Sequence, residues 1–459
     1  MIDLPTITGL TQDSRKVRQG CLFAAFKGEQ SDGRDYIPQA IEAGAKIILT
    51  DPSLRASAKQ SSPDVEFIFD ETPRQTFAQL CAQFYTEQPV TITAVTGTNG
   101  KTSIVNFTQQ IWQALGYNAA MLGTLSGNLT TADPVTLHET LKDKAEQGIT
   151  HLAMEASSHG LDQYRLDGVK LSAAGFTNLS RDHLDYHGDM EAYFNAKSRL
   201  FTELLPSDKP AIINADDEWG QKLIPLCKNP FTYGYAGSDL KLIKTQPLPH
   251  GQKIELIYKN ETYRTNINLV GEFQTLNLLC ALGLVLTSTA VDEAKAIAAL
   301  ETIKGARGRL EAIDSNPIYV DYAHTPDALE HVLNALRPHT QSRLICVFGC
   351  GGDRDKGKRS EMGKIAATLA DKTIITDDNP RSEDPAAIRA QILSAAPEAQ
   401  EIPDRHEAIR AAIKDMEQGD VLLIAGKGHE QGQIFATHTD PFDDKTEIQK
   451  ILKNGDIKT

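Results

Sequence analysis

Ile92-Thr93-Ala94-Val95-Thr96-Gly97-Thr98-Asn99-Gly100-Lys101-Thr102-Ser103 is the stretch on which the reading of this chain turns. An apolar run ends in a glycine-rich turn closing on Gly-Lys-Thr, and the apolar pattern from Ile104 to Leu115 then predicts a helix. Strand, turn and helix start, in that order, make a phosphate cradle. Backbone N–H groups and the helix N-terminus meet the anion, Lys101 brings a point charge to the outer phosphates, and Thr102 offers a hydroxyl to Mg²⁺. The candidate nucleotide-binding residues are therefore Gly97, Thr98, Asn99, Gly100, Lys101, Thr102 and Ser103. The loop is two residues tighter than the ordinary spacing, whose first glycine would fall at Val95.

The whole chain, 459 residues, is enough for about three domains, each with its own core. With 40% hydrophobic and 24% charged residues the composition is that of an ordinary globular protein. No apolar run approaches the roughly 20 residues of a membrane span, so no membrane insertion is expected. The start, Met1-Ile2-Asp3-Leu4-Pro5, lacks the basic segment and apolar core of a secretory signal, and a cytoplasmic location is expected. Six cysteines, at positions 21, 81, 227, 280, 346 and 350, include no Cys-x-x-Cys pair, which argues for reduced core residues; Cys350, in a glycine-rich loop, could be an accessible thiol. A net charge of -14 argues against a nucleic-acid partner.

The predicted fold class is α/β in three domains, 1–89, 90–308 and 309–459. In the first, strands are expected at Cys21 to Phe26 and Lys46 to Thr50 with a helix from Ile37 to Ala43 between them. In the second, the strands Ile149 to Met154, Ala173 to Phe176 and Pro210 to Asn214 alternate with helical stretches, the pattern of a parallel sheet with flanking helices. The alternating polar and apolar texture between Ser238 and Leu269 predicts a small antiparallel patch, and helices follow from Phe273 to Leu286 and Asp292 to Leu300. Four short strands in the last domain, Ile318 to Val320, Leu344 to Phe348, Thr373 to Thr376 and Val421 to Ile424, each run into a polar or glycine-rich loop. Ligands bind beyond the carboxyl ends of such strands.

Glu155 follows the strand ending at Met154, and the segment Thr177 to Asp185, with His183, follows the strand at Phe176. A carboxylate and an imidazole at strand ends beside a phosphate loop can coordinate the hard cation that neutralises a transferring phosphoryl group. Lys197, in Ala196-Lys197-Ser198-Arg199, reads by itself as an exposed helical lysine.

The shortened phosphate loop, with Glu155, His183 and Lys197 in order and context, resembles the Mur ligase and folylpolyglutamate synthetase superfamily, in which ATP activates a carboxylate for amide formation, and most closely the Mur ligases. The resemblance implies an amino-terminal domain that holds a UDP-sugar, a central ATP-binding domain and a Rossmann-like carboxyl-terminal domain that holds an amino acid. It implies catalytic Lys101, Glu155, His183 and Lys197, the lysine being carbamylated by carbon dioxide; a neutral amine becomes an anionic carbamate that joins Thr102, Glu155 and His183 around Mg²⁺, where an ammonium would repel the ion.

By the same resemblance Ser14, Glu29, Gln30, Thr130, Thr131, Ser157, Gln163 and Arg165 contact UDP-N-acetylmuramoyl-L-alanyl-D-glutamate, and Asn277, Arg309, Asp321 and His324 meet ATP. Asp378-Asn379-Pro380-Arg381 resembles the signature of members that add meso-diaminopimelate, with Arg354, Gly426 and Glu430 completing the pocket. A guanidinium on a proline-stiffened loop can take the distal carboxylate of that amino acid through two parallel hydrogen bonds, and Glu430 suits its distal ammonium. The charge run Asp353 to Arg359 otherwise reads as a solvated surface. A monomer acting on small-molecule substrates is expected. A lysine-adding member of the family, a folylpolyglutamate synthetase and a non-enzymatic nucleotide switch are the alternatives; Arg381, the amino-terminal domain and the Glu155, His183 and Lys197 set respectively speak against them.

Overall fold

Four short apolar runs near the amino terminus, Leu10–Thr11, Leu22–Ala24, Ile47–Thr50 and Glu66–Phe69, pair side by side as parallel strands in chain order. The computed structural model describes residues 7–28, 31–55, 64–127, 129–314 and 316–454. Successive side chains of a strand point to opposite faces. Leu22, Ala24, Ile47 and Leu49 accordingly pack on Phe77 and Cys81 of helix Pro73–Phe84, whereas Phe23, Ala25 and Ile48 pack on Ile37 and Ala40 of helix Ile37–Glu42.

The chain divides into two compact units, Met1–Thr232 with Gly283–Val291, and Tyr233–Leu282 with Asp292–Thr459. In the first unit a further run of parallel strands has the order Ala211–Asn214, Ala173–Phe176, Thr91–Thr96, His151–Glu155, Ala119–Leu122. Thr91–Thr96 lies in the middle and is wholly buried, its three threonines included. Its neighbours are the strands that end at Glu155 and Phe176, so the segments carrying Glu155 and Thr177 to His183 flank the phosphate loop by topology alone. Helix Lys101–Ala114 buries Ile104, Phe107, Thr108, Ile111 and Trp112, one face at helical spacing.

In the second unit the strands Leu240–Leu248, Gly251–Tyr258 and Glu261–Ile267 form the expected antiparallel patch. The six-stranded sheet has the order Glu311–Ala312, Ile318–Asp321, Val421–Ala425, Leu344–Phe348, Lys372–Ile375, Gln400–Glu401, parallel except for the first strand. Tyr319, Cys346, Phe348 and Leu423 face a core shared with helices Pro326–Leu336 and Gly357–Leu369. Val320, Ile345, Val347 and Ile424 face the other, shared with Arg405–Asp415 and Asp444–Lys453. Helices cover both faces, the doubly wound arrangement that gathers loops at the carboxyl ends of the strands. No helix of the described residues is long and apolar enough to cross a membrane.

Candidate functional site

Tightness at the phosphate loop comes from glycine and from a buttress. Gly97 has φ +141, and a Cβ there would overlap Thr177 Oγ1; only glycine lets the strand end approach so closely. Thr98 N donates to Asn178 O at 2.8 Å, Asn99 N to Asn178 Oδ1 at 3.1 Å, Thr177 Oγ1 to Asn99 O at 2.7 Å, and Thr98 Oγ1 to Ser180 O at 3.2 Å. Gly100 enters the helix in the left-handed region, and no side chain among the described residues caps the helix, which leaves its first N–H groups to an anion. Lys101 folds over the loop, its Nζ 2.8 Å from both Gly97 O and Thr98 O. Thr102 and Ser103 are buried in the first turn.

Glu155 is buried at the end of its strand and gathers donors: Thr102 Oγ1 at 3.0 Å and Thr124 N at 2.8 Å on Oε1, Thr124 Oγ1 at 3.4 Å on Oε2. Lys197 is only 1% exposed, so the exposed-lysine reading fails. Helix Met190–Arg199 turns the residue inward, where Nζ donates to Gly97 O at 2.9 Å and lies 4.5 Å over the Tyr193 ring. Burial, with the nearby Lys101 ammonium adding to it, pushes the Lys197 ammonium well below the ordinary lysine range. His183 has φ +51 and a half-exposed ring, edge-on to Tyr193 at 6.2 Å and to His159 at 5.0 Å.

The structure thus joins Thr102 to Glu155 directly, joins Lys197 to the loop through Gly97, and brings His183 to the Tyr193 ring that Lys197 also meets. Among the described residues no three His, Cys, Asp or Glu side chains converge as a metal site. The expected set has only two such residues, the others being a hydroxyl and a modified lysine. A buried carboxylate bonded to a buried hydroxyl offers the oxygen donors that a hard cation such as Mg²⁺ takes.

The sugar-peptide candidates form a second network in the same unit. Thr131 Oγ1 donates to Glu155 O at 3.1 Å and accepts from Ser157 N at 3.0 Å; Arg165 Nη1 donates to Thr131 O at 2.8 Å and Nη2 to Gln163 Oε1 at 2.7 Å. Thr130 Oγ1 lies 3.1 Å from Thr124 Oγ1, one step from Glu155. Gln163 and Arg165 also line a small cavity with Gln12, Phe26, Arg74, Phe77 and Pro134. Ser14 is not part of that network: its hydroxyl donates to Gln39 Oε1 at 3.3 Å. Glu29 and Gln30 lie outside the described residues.

In the second unit Asn277 donates to Gln274 Oε1 at 3.0 Å and Gln274 to Arg309 O at 3.1 Å, while the Arg309 guanidinium lies 4.7 Å over the Tyr322 ring. Asp321 is buried, accepting from Leu310 N at 2.7 Å and Ala323 N at 2.8 Å, and burial pushes its carboxyl up. His324 Nδ1 lies 2.8 Å from Tyr322 O. Of the four nucleotide candidates here, Arg309 and His324 meet at Tyr322, while Asn277 joins Arg309 through Gln274.

Asn379 is the hub of the remaining loops: its Nδ2 donates to Glu430 Oε2 at 2.8 Å, and its Oδ1 accepts from Lys427 Nζ at 2.8 Å and Ile434 N at 3.0 Å. Asp378 is buried; its backbone oxygen accepts from Gln433 Nε2 at 2.8 Å, and its Oδ2 faces Gly426, where a Cβ would come within 2.8 Å. Arg381 stands at φ +50, an unusual backbone for a non-glycine residue. Its N donates to Ile434 O and its Nη1 to Gly352 O at 2.9 Å; among the described residues Nε and Nη2 have no hydrogen bond. A Cβ at Gly352 would overlap Pro380 O, so the two loops need glycine there. Arg354 is exposed and bonds to Asp353 O at 3.1 Å.

Two expectations are corrected. Cys350 is buried against Met362 with its thiol pushed up to about 12 by burial, so it is not an accessible thiol. Arg359 is not part of a solvated run: helix Gly357–Leu369 turns it inward onto Glu383 at 2.9 Å and Gly351 O at 3.2 Å. Sequence reading also missed Thr124, Tyr193, Asn178, Gln274 and Lys427. Thr124 follows the carboxyl end of strand Ala119–Leu122 and would have been found by recognising that strand; nothing in the sequence marks the inward turn of Lys427.

Residues 6–85 match the Mur ligase family catalytic domain, 95–285 the Mur ligase middle domain and 308–428 the Mur ligase glutamate ligase domain. A protein of Caulobacter vibrioides named UDP-N-acetylmuramoyl-L-alanyl-D-glutamate--2,6-diaminopimelate ligase is 48% identical over 98% of this chain and 96% of its own. A solved structure of a ligase of the same name has a TM-score of 0.73 at 34% identity, covering 98% of this chain and 95% of its own. The MurF ligase of Thermotoga maritima in complex with ADP has a TM-score of 0.64 at 18% identity over 99% of both chains, a likeness of fold.

Proposed function

This chain belongs to the Mur ligase family, and from that premise we propose that it joins meso-diaminopimelate to UDP-N-acetylmuramoyl-L-alanyl-D-glutamate at the cost of ATP, a step of peptidoglycan synthesis in the cytoplasm. The observation that carries this reading is the near full-length identity of 48% to a ligase of that name, in a chain that keeps Asp378-Asn379-Pro380-Arg381. The domains proposed are 1–89 for the UDP-sugar, 90–308 for ATP and 309–459 for the amino acid; the three family matches support these bounds. The working form proposed is a monomer.

In the first half-reaction the D-glutamate γ-carboxylate attacks the γ-phosphorus of ATP, the bond to the β,γ-bridging oxygen breaks, and ADP leaves an acyl phosphate. Gly97 to Ser103 cradle the phosphates, with Lys101 as the point charge. Thr102, Glu155, His183 and carbamylated Lys197 would hold Mg²⁺, which supplies charge neutralisation on the transferring group. The carbamate forms when the neutral Lys197 amine bonds to carbon dioxide and releases a proton, and the depressed ammonium supports it. Thr130, Thr131, Ser157, Gln163 and Arg165, with Ser14, Glu29 and Gln30, hold the sugar peptide. Asn277, Arg309, Asp321 and His324 hold the nucleotide.

In the second half-reaction the amine of meso-diaminopimelate attacks the acyl carbon, a tetrahedral intermediate forms, the amine loses a proton, and phosphate departs. Arg381 and Arg354 take the distal carboxylate, Glu430 the distal ammonium, and Asp378, Asn379, Pro380 and Gly426 shape the pocket. The test is phosphate release in the presence of ATP, Mg²⁺ and UDP-N-acetylmuramoyl-L-alanyl-D-glutamate. Release that depends on meso-diaminopimelate is expected; release with no dependence on any amine would refute the assignment.

A further inference from the structure

Lys427 follows the strand Val421–Ala425 and Gly426, whose φ of +112 sends the chain sharply inward. Its side chain is wholly buried, unusual for lysine and costly unless the amine has partners. Nζ has two: Asn379 Oδ1 at 2.8 Å and Glu430 Oε2 at 3.5 Å.

What Lys427 does to Asn379 is specific. Asn379 Oδ1 accepts from Lys427 Nζ and from Ile434 N, using both of its lone pairs. A flipped amide would put N–H groups against two donors, so the orientation is locked and Nδ2 is obliged to face Glu430. There it donates to Oε2 at 2.8 Å, the same oxygen that Lys427 approaches. Both contacts fall on one oxygen of Glu430; Oε1 has no hydrogen bond among the described residues. Burial pushes the Lys427 ammonium down, Asp378 and Glu430 resist that shift, and Arg405 adds to it.

We infer that Lys427 is a positioning residue of the amino-acid pocket, locking the Asn379 amide and anchoring Glu430 by Oε2 so that Oε1 is presented to the distal ammonium of the incoming amino acid. It touches no substrate and acts through these two side chains. The inference rests on the assignment of Asn379 and Glu430 to the amino-acid pocket made under the proposed function. Lys427 is thereby a determinant of specificity for an amino acid with a second amine.

The experiment compares meso-diaminopimelate with 2-aminopimelate, which keeps the distal carboxylate and lacks the distal amine, in the full chain and its variants. Lys427→Met should raise KM for meso-diaminopimelate about tenfold or more, the scale of a lost charge-assisted hydrogen bond, and erase most of the preference over 2-aminopimelate. KM for ATP should stay within about twofold, since the nucleotide candidates are untouched. The double variant Lys427→Met with Glu430→Gln should lose clearly less for meso-diaminopimelate than the product of the two single losses, because part of the effect of Lys427 runs through the Glu430 carboxylate. Lys427→Gln, which keeps an N–H donor but no charge, should give an intermediate preference and serves if the Met variant does not fold. An unchanged preference in either Lys427 variant, or additive losses in the double variant, overturns the inference. If Glu430→Gln and Asn379→Ala leave KM for meso-diaminopimelate unchanged, the pocket assignment fails and the inference falls with it; if they raise it while Lys427→Met does not, only the inference fails.

Discussion

The phosphate loop and the amino-acid loops both lie past the carboxyl ends of parallel strands, but they are held by different means. The first is one contiguous stretch, Gly97 to Ser103, which the absence of a Cβ at Gly97 lets press onto Thr177 to Ser180; side chains of Thr98, Thr177 and Asn178 fasten it from behind, and the groups it offers a phosphate are backbone N–H. The second is assembled from segments dozens of residues apart, Gly351 to Arg354, Asp378 to Arg381 and Gly426 to Ile434, cross-bonded largely through side chains with Asn379 as the hub. Triphosphate recognition needs N–H groups at fixed positions, which backbone supplies whatever the neighbouring residues; recognition of one amino acid among many needs particular side chains. One region should therefore be intolerant of backbone change and the other sensitive to single side chains.

Substitution at Lys197 gives the largest expected effect. Lys197→Ala should lower kcat about a hundredfold or more, the scale of losing a preorganised charge at a transferring group, with partial rescue by short carboxylates. Unchanged turnover would remove the carbamate role. Next come paired backbone changes. Gly97→Ala and Gly352→Ala each set a Cβ against a neighbouring loop, Gly97 also in the left-handed region, and each should cost about 1–3 kcal/mol of local stability. The first should raise KM for ATP and the second KM for meso-diaminopimelate. Crossed or equal effects would mean that the two loops do not serve separate substrates.

Arg381→Ala should raise KM for meso-diaminopimelate about tenfold to a hundredfold with KM for ATP nearly unchanged, reflecting a charged hydrogen bond of about 1.5–3 kcal/mol. Equal effects on both would make the loop merely structural. The smallest effect concerns His429, whose imidazole burial, reinforced by Arg309 and Arg307, lowers to about 4. As pH falls through about 6.5 the unfolded chain takes up a proton that the folded chain refuses until near 4, so this contribution to stability is lost on acidification. Discounted for partial exposure, it amounts to about 1 kcal/mol by pH 5. His429→Asn should flatten the decline of Tm between pH 7 and pH 5; an unaltered decline would contradict it.

The same division explains what could be read in advance. Strand Ala173–Phe176 and strand Leu344–Phe348 have the predicted bounds, because apolar runs between turn residues leave little choice. The phosphate loop was legible because its chemistry is written in consecutive residues. Lys197 and Lys427 look like any surface lysine; only packing shows that both are buried, since the inward turn of a helix or of a glycine-led loop is a tertiary property. Arg359 misled for the same reason, its burial depending on Glu383 far along the chain. Thr124 escaped notice because Ala119–Leu122 is a short strand with only one fully buried residue.

If the loops around Asn379 and Arg381 form the amino-acid pocket, the enzyme should select meso-diaminopimelate over L-lysine. Equal concentrations of meso-diaminopimelate and L-lysine, offered together with ATP, Mg²⁺ and UDP-N-acetylmuramoyl-L-alanyl-D-glutamate, would test it directly by mass spectrometry of the product. The diaminopimelate tripeptide is expected almost alone. A lysine tripeptide in equal or greater amount would contradict it.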